Sequence, residues 1–122
     1  MIDSVGIYRK ANSLVQLHGT RDTIKLAEAS GVEVVPVDCF NNLLGMYVYR
    51  WKHRAMFLNN RMDEYLTLMV AGHELGHDIY HRELAKGDGM KEFELFRMQN
   101  STEYEANAFA AHVLICLLYT SP

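Results

Sequence analysis

The stretch His73-Glu74-Leu75-Gly76-His77 constrains this chain more than any other. Two histidines four residues apart share one face of an α-helix, one turn apart, so both imidazoles can reach a single ion. The spacing therefore predicts a helix with a metal site on it. Glu74 sets a carboxylate beside the coordination position that three protein ligands leave open, where a bound water can lose a proton. Gly76 costs about 1 kcal/mol in a helix interior relative to alanine, which predicts close approach of another chain or of a substrate. The bland alternative is two partly exposed helical histidines beside a surface glutamate.

Leu66, Met69 and Val70 fall on the same side of this helix as His73 and His77. The histidines thus continue an apolar stripe and should point into the domain. Asp63 is the expected N-cap, with Glu64 suited to the first turn. His81 stands four beyond His77, yet two turns separate it from His73 by about 12 Å, too far for one ion with bonds of about 2 Å. Its expected roles are a contact behind a ligand, a substrate-facing group or, by default, a cation at the helix C-terminus.

A hydrolytic zinc site needs a third protein ligand, and the last helix offers Glu103 and Glu105. Thr102 to Glu105 fits a capping box, with Thr102 as N-cap and Glu105 reaching back, which gives Glu105 a structural task. Glu103 instead heads the stripe Ala106, Ala110, Val113 and Leu117. A carboxylate at the inner end of an apolar stripe should be paired or bind a metal, so Glu103 is the expected ligand. Asn107, one turn on, is expected to hold a ligating residue or to satisfy nearby backbone. A zinc pattern with a third histidine six residues past the second is absent, because that position is Glu83.

Upstream, Ile2 to about Leu17 has helical spacing of its apolar residues. Thr20 or Asp22 can cap a second helix to about Ser30, with Gly31 left-handed after it. Ile24 to Val34 superficially resembles the first half of a helix-turn-helix unit. However, Val32 to Val37 is β-branched and contains Pro36, so it reads as a strand and not a recognition helix. Leu44 to Tyr49, with Gly45 as a bulge, and Ala55 to Leu58 are two further strands, separated by a polar turn at Lys52-His53-Arg54. The expected fold class is α+β: helices with a small three-stranded, mostly antiparallel sheet beside the metal-site helices. Arg50 to Arg54 is basic with Trp51 inside it and is read as a solvated hairpin tip over a nucleic-acid contact. Lys86 to Gly89 is a loop, and Lys91 to Met98 a short helix whose Phe93, Leu95 and Phe96 cover core or groove.

With 122 residues the chain suits one domain, expected over residues 1–115, with 116–122 a tail that is truncated or non-native. The formal charge of -3 argues against a broad basic nucleic-acid face. No export leader or apolar run of about 18 residues is evident, so the expected compartment is the cytoplasm. Cys39 and Cys116 build no disulfide framework and read as small buried hydrophobes.

These motifs resemble the ImmA/IrrE family of metallo-endopeptidases, a gluzincin-like group. The residues that carry the resemblance are His73 to His77, then His81, then Glu103-Tyr104-Glu105-Ala106-Asn107-Ala108-Phe109-Ala110-Ala111. The first motif is common to many zinc proteases, and its combination with the second is more specific. The resemblance spans Ile2 to about Ile115 and implies a cytoplasmic zinc peptidase of phages or mobile elements that cuts a helix-turn-helix repressor. By motif position, His73, His77 and Glu103 would bind Zn2+ and Glu74 would be the general base. The family commonly continues Leu-Leu-x-Pro, whereas here Leu114-Ile115 runs into Cys116-Leu117-Leu118. For the oxyanion donor the candidates are Tyr80, His81, Tyr104 and His112. The competing expectation is a non-catalytic, zinc-stabilised module that binds and displaces a repressor. A purely structural zinc is weaker, since three ligands leave a position open.

Overall fold

The computed structural model describes residues 2–87, 89–92 and 100–120, without the side chains of 92 and 115–120. The first helix, α1 (Ser4–His18), starts where the Asp3 side chain accepts the Gly6 amide. It stops at Gly19, whose φ of 70° and hydrogen bond to the Val15 carbonyl close the last turn. Helix α2 (Thr23–Ala29) is capped by Asp22, whose carboxylate accepts from Ile24 and Lys25, while Thr20 holds the Asp22 amide. The segment then enters a strand, β1 (Glu33–Val37), where a helix-turn-helix unit would need its second helix.

Strands β2 (Gly45–Arg50) and β3 (His53–Asn59) form an antiparallel hairpin turned by Trp51 and Lys52. His53 and Arg54, expected in the turn, already belong to β3. A long helix, α3 (Glu64–Tyr80), follows with the Asp63 side chain accepting from the Leu66 amide. After a 3-10 turn (Arg82–Ala85) come β4 (Met90–Glu92) and α4 (Ser101–Thr120).

The fold class is α+β, and the sheet departs from expectation in two ways. It has four strands in the order β1-β3-β2-β4, and β1 runs parallel to β3. The expectation of three mostly antiparallel strands assumed that neighbours in sequence pair in space. Instead, the 38–44 connection carries the chain past the place where β3 will insert, so β1 meets the strand two steps on, in the same direction. Hydrogen bonds from the Asn59 amide to the Leu44 carbonyl and from the Asn60 amide to Val37 fix that crossing. The fourth strand begins at Met90, where a helix was expected from Lys91; three residues carry too little periodicity to separate the two. Phe93, Leu95 and Phe96 lie outside the described residues. Gly45 is no bulge, for it pairs in register with Leu58 on one side and Glu92 on the other.

Helix α3 lies centrally, packed on α2, α4, β2 and β3, and α1 covers the far side of α4. Leu26, Met56, Val70, Leu75, Phe109 and Val113 form the buried centre between these layers. Phe109 is fully enclosed, so truncating it to alanine costs about 3–5 kcal/mol. The α3–α4 contact is unusually close. A β-carbon on Gly76 would stand 2.9 Å from the Ala106 Cα, and one on Gly72 would stand 3.0 Å from the Ala110 Cβ. The approach expected at Gly76 is therefore made by the same chain's last helix. Cys39 is exposed, against the expectation of a buried thiol, because it sits in the loop after β1. The side chain of Cys116 lies outside the described residues.

Candidate metal centre

The backbone contact between α3 and α4 decides what faces what. His73 and His77 leave α3 on the side of α4, and both are buried. Glu103, in the first turn of α4, faces them from a side chain 20% exposed. The His73 and His77 Nε2 atoms are 3.1 Å apart. Glu103 Oε2 lies 2.9 Å from His77 Nε2, and Oε1 lies 3.6 Å from His73 Nε2. A tetrahedral ion with bonds of about 2.0–2.1 Å needs donor atoms about 3.3 Å apart, and these separations, two of them to different oxygens of Glu103, lie on either side of that value.

The surrounding hydrogen bonds explain why the three atoms point at one another. His73 Nδ1 lies 2.7 Å from Asn107 Oδ1, which only accepts, so Nδ1 carries the proton and Nε2 presents a lone pair. His77 Nδ1 lies 3.0 Å from His81 Nδ1, and His81 Nε2 lies 2.8 Å from Glu105 Oε1. His81 Nε2 donates its hydrogen to the Glu105 carboxylate, leaving His81 Nδ1 to accept from His77 Nδ1. His77 Nε2 then also presents a lone pair. Burial lowers the His77 pKa from its ordinary 6.5, against the opposing pull of Glu103, which favours the neutral ring that a metal requires. Two nitrogen lone pairs and a carboxylate converging in a buried space form a donor set that a cation would satisfy. Among the described residues this is the one His/Cys/Asp/Glu group of such closeness, all its ligand atoms lying within 4.8 Å.

Glu105 was expected to close a capping box with Thr102. Instead Asn100 caps α4, accepting the Glu103 amide at 3.0 Å, and Glu105 anchors His81. The helix starts two residues earlier than the box assumed, which puts Glu105 beyond the capping position and beside His81 on α3. His81 is thus a partner of His77 and not a solvated cation. Glu74 is wholly buried and points toward the sheet: a β-carbon on Gly45 would stand 2.9 Å from Glu74 Oε2. Of the other oxyanion candidates, Tyr104 is exposed, the His112 ring packs edge-on to Tyr8, and Tyr80 stacks near Phe109.

Sequence reasoning missed Asp78. Its carboxylate is buried and accepts from the Tyr47 hydroxyl, from Arg54 at 2.9 Å and from Arg82 at 3.5 Å. Arg54 also donates to the Ser30 carbonyl, so one guanidinium joins β3, α3 and the end of α2. Burial, and then the bond to Asp78, push the Tyr47 pKa far up, keeping its hydroxyl a donor. The basic run was read as wholly solvated. Strand alternation, however, sends Arg54 inward once β3 begins at His53, a boundary the sequence placed two residues late.

The IrrE N-terminal-like domain of the M78 peptidases matches residues 27–116, from within α2 through most of α4. The chain belongs to this family. Membership in the M78 family gives it a metallopeptidase-like fold, and the buried His-His-Glu group lies inside the matched span. An uncharacterized immunity region protein 2 of Bacillus phage phi105 is 29% identical over 102 residues, which cover 84% of this chain. The match spans 63% of the phage protein's length. No helix among the described residues is long and apolar enough to cross a membrane.

Proposed function

We propose that this M78 family member is a zinc-dependent endopeptidase whose substrate is a helix-turn-helix repressor of a phage or mobile element. The convergence of His73 Nε2, His77 Nε2 and the Glu103 carboxylate, at spacings suited to a tetrahedral ion, carries the reading. Those three residues would hold the metal. A zinc ion there would polarise a peptide carbonyl and bring the pKa of a water toward about 7. Asn107 and the His81–Glu105 pair hold the ligand rings in the right tautomer. The Glu74 carboxylate takes the proton of the attacking water and returns it to the leaving amine. The description of the phi105 relative as an immunity region protein supports a repressor as the substrate.

The test is to mix the metal-loaded protein with the repressor encoded beside its gene and look for fragments, with a chelator control. Fragments that vanish on chelation are expected. Tight binding without fragments would replace hydrolysis by displacement, and neither binding nor fragments would remove the repressor from the reading.

A further inference from the structure

The hairpin that contributes Gly45 to the back of Glu74 ends in a feature the metal centre does not use. Trp51 is the chain's single tryptophan and is 91% exposed at the tip of β2 and β3. It and Lys52 both have positive φ, 57° and 62°, in a two-residue turn where Asn-Gly is the unstrained choice. A bulky aromatic is thus held out to solvent in a conformation that disfavours it, and large indoles are usually well buried.

Cations cluster at this end of the hairpin. Arg50 is pinned by its bond to the Gly87 carbonyl at 2.7 Å, and Lys52 meets no carboxylate among the described residues. Arg82 and Lys86 both lie over the Tyr49 ring, each 5.7 Å from its centre. Glu83, paired with Lys86 at 2.7 Å, and Asp78, 3.5 Å from Arg82, offset two of these charges, which leaves Arg50 and Lys52. Tyr49, Arg50, Trp51, Lys52, Lys86 and Gly87 line a shallow cleft of about 400 Å³. Among the described residues the patch is positive, on a chain whose formal charge is -3. It sits about 20 Å along β2 from Gly45, taking about 3.4 Å per strand residue.

We propose that this hairpin tip is a docking site, remote from the metal centre, for an acidic segment of a partner protein that carries one aromatic or large apolar anchor. The charge is complementary to such a segment, and exposed Trp and Arg are the side chains that dominate protein interfaces. A single-stranded nucleic acid fits less well. It needs successive stacking platforms along a basic track, whereas here Tyr49 is covered by Arg82 and Lys86 and leaves Trp51 as one open ring. The site does not depend on whether the protein hydrolyses its partner or only binds it.

Because Trp51 is the chain's one indole, its fluorescence reads this surface directly. The probe is a short capped peptide with a central Phe between runs of Asp and Glu, compared with its Lys counterpart and with oligo-dT. We expect the acidic peptide alone to shift emission to the blue and protect the ring from iodide. Its binding should weaken with added salt, and about tenfold or more in R50E/K52E, as follows from losing two charge-assisted contacts. Calorimetry on W51A should show the same loss without the optical probe, and thermal melts of both variants should match the parent. No response to the acidic peptide, or an equal response to the Lys peptide, would overturn the proposal. A stronger response to oligo-dT would overturn it in favour of a nucleic-acid surface.

Discussion

Gly45 and Glu74 are in contact across the sheet and the central helix: a β-carbon on Gly45 would come within 2.9 Å of Glu74 Oε2 and 2.8 Å of the Val70 Cγ1. The Phe57 carbonyl, 3.3 Å away, closes the third side. Any side chain at this position must displace the carboxylate or spread α3 from β2. Gly45→Ala is expected to lower turnover about 100-fold, as a misplacement of about 1 Å can. Metal content by elemental analysis should be unchanged, because His73, His77 and Glu103 face α4 instead.

Replacing the proposed base separates chemistry from binding. Glu74→Gln should retain the metal and lose about 10²–10⁴-fold in hydrolysis. Steady-state cleavage beside metal titration measures both, and retained cleavage would dismiss Glu74 as the base.

The hydrogen bonds behind the ligands have their own cost. Glu105→Gln and Asn107→Ala should each weaken metal affinity about 10–100-fold while leaving the three donors in place. Competition with a chelating dye gives the number. An unchanged affinity in Glu105→Gln would mean that His81 does not orient His77.

Asp78 is a matter of stability. Asp78→Ala strands the Arg54 guanidinium among β3, α2 and α3 and should cost about 3–5 kcal/mol in urea unfolding. Tyr47→Phe removes one buried donor and should cost less, about 1–3 kcal/mol.

Acidification should destabilise the metal-free protein. Burial sets the folded pKa of His77 below 6.5, so below that pH the unfolded chain holds more protons. The contribution of His77 is complete above pH 6.5 and declines as the pH falls toward its folded value. Melting temperatures measured downward from pH 7 should fall in the parent and fall less in His77→Gln.

The local elements of the domain were legible because they rest on short-range chemistry. Asp22 and Asp63 act within one turn, and the 3.6-residue stripe of α3 survives intact. The meeting of Glu103 with the two histidines was legible because a carboxylate heading an apolar stripe has few other outlets. The parallel pairing of β1 with β3 was not, since it depends on a crossing of two connections that no local pattern encodes. Glu105 was misassigned for a narrower reason. Asn100 and Thr102 are both good caps, and with the helix starting two residues earlier Glu105 falls beyond the first turn and meets His81. Asp78 was hidden because its partners Tyr47 and Arg54 come from strands remote in sequence.

The paired glycines and alanines of α3 and α4 work as a calliper. With only the β-carbons of Ala106 and Ala110 between the two helices at Gly76 and Gly72, the spacing of the elements that carry the nitrogen and oxygen donors is set by near main-chain contact. Any event that pries the last helix outward, from a distant substitution to a bound partner, would draw Glu103 away from the two imidazoles. Metal affinity would therefore gauge how firmly α4 is seated, readable from the outside of the molecule.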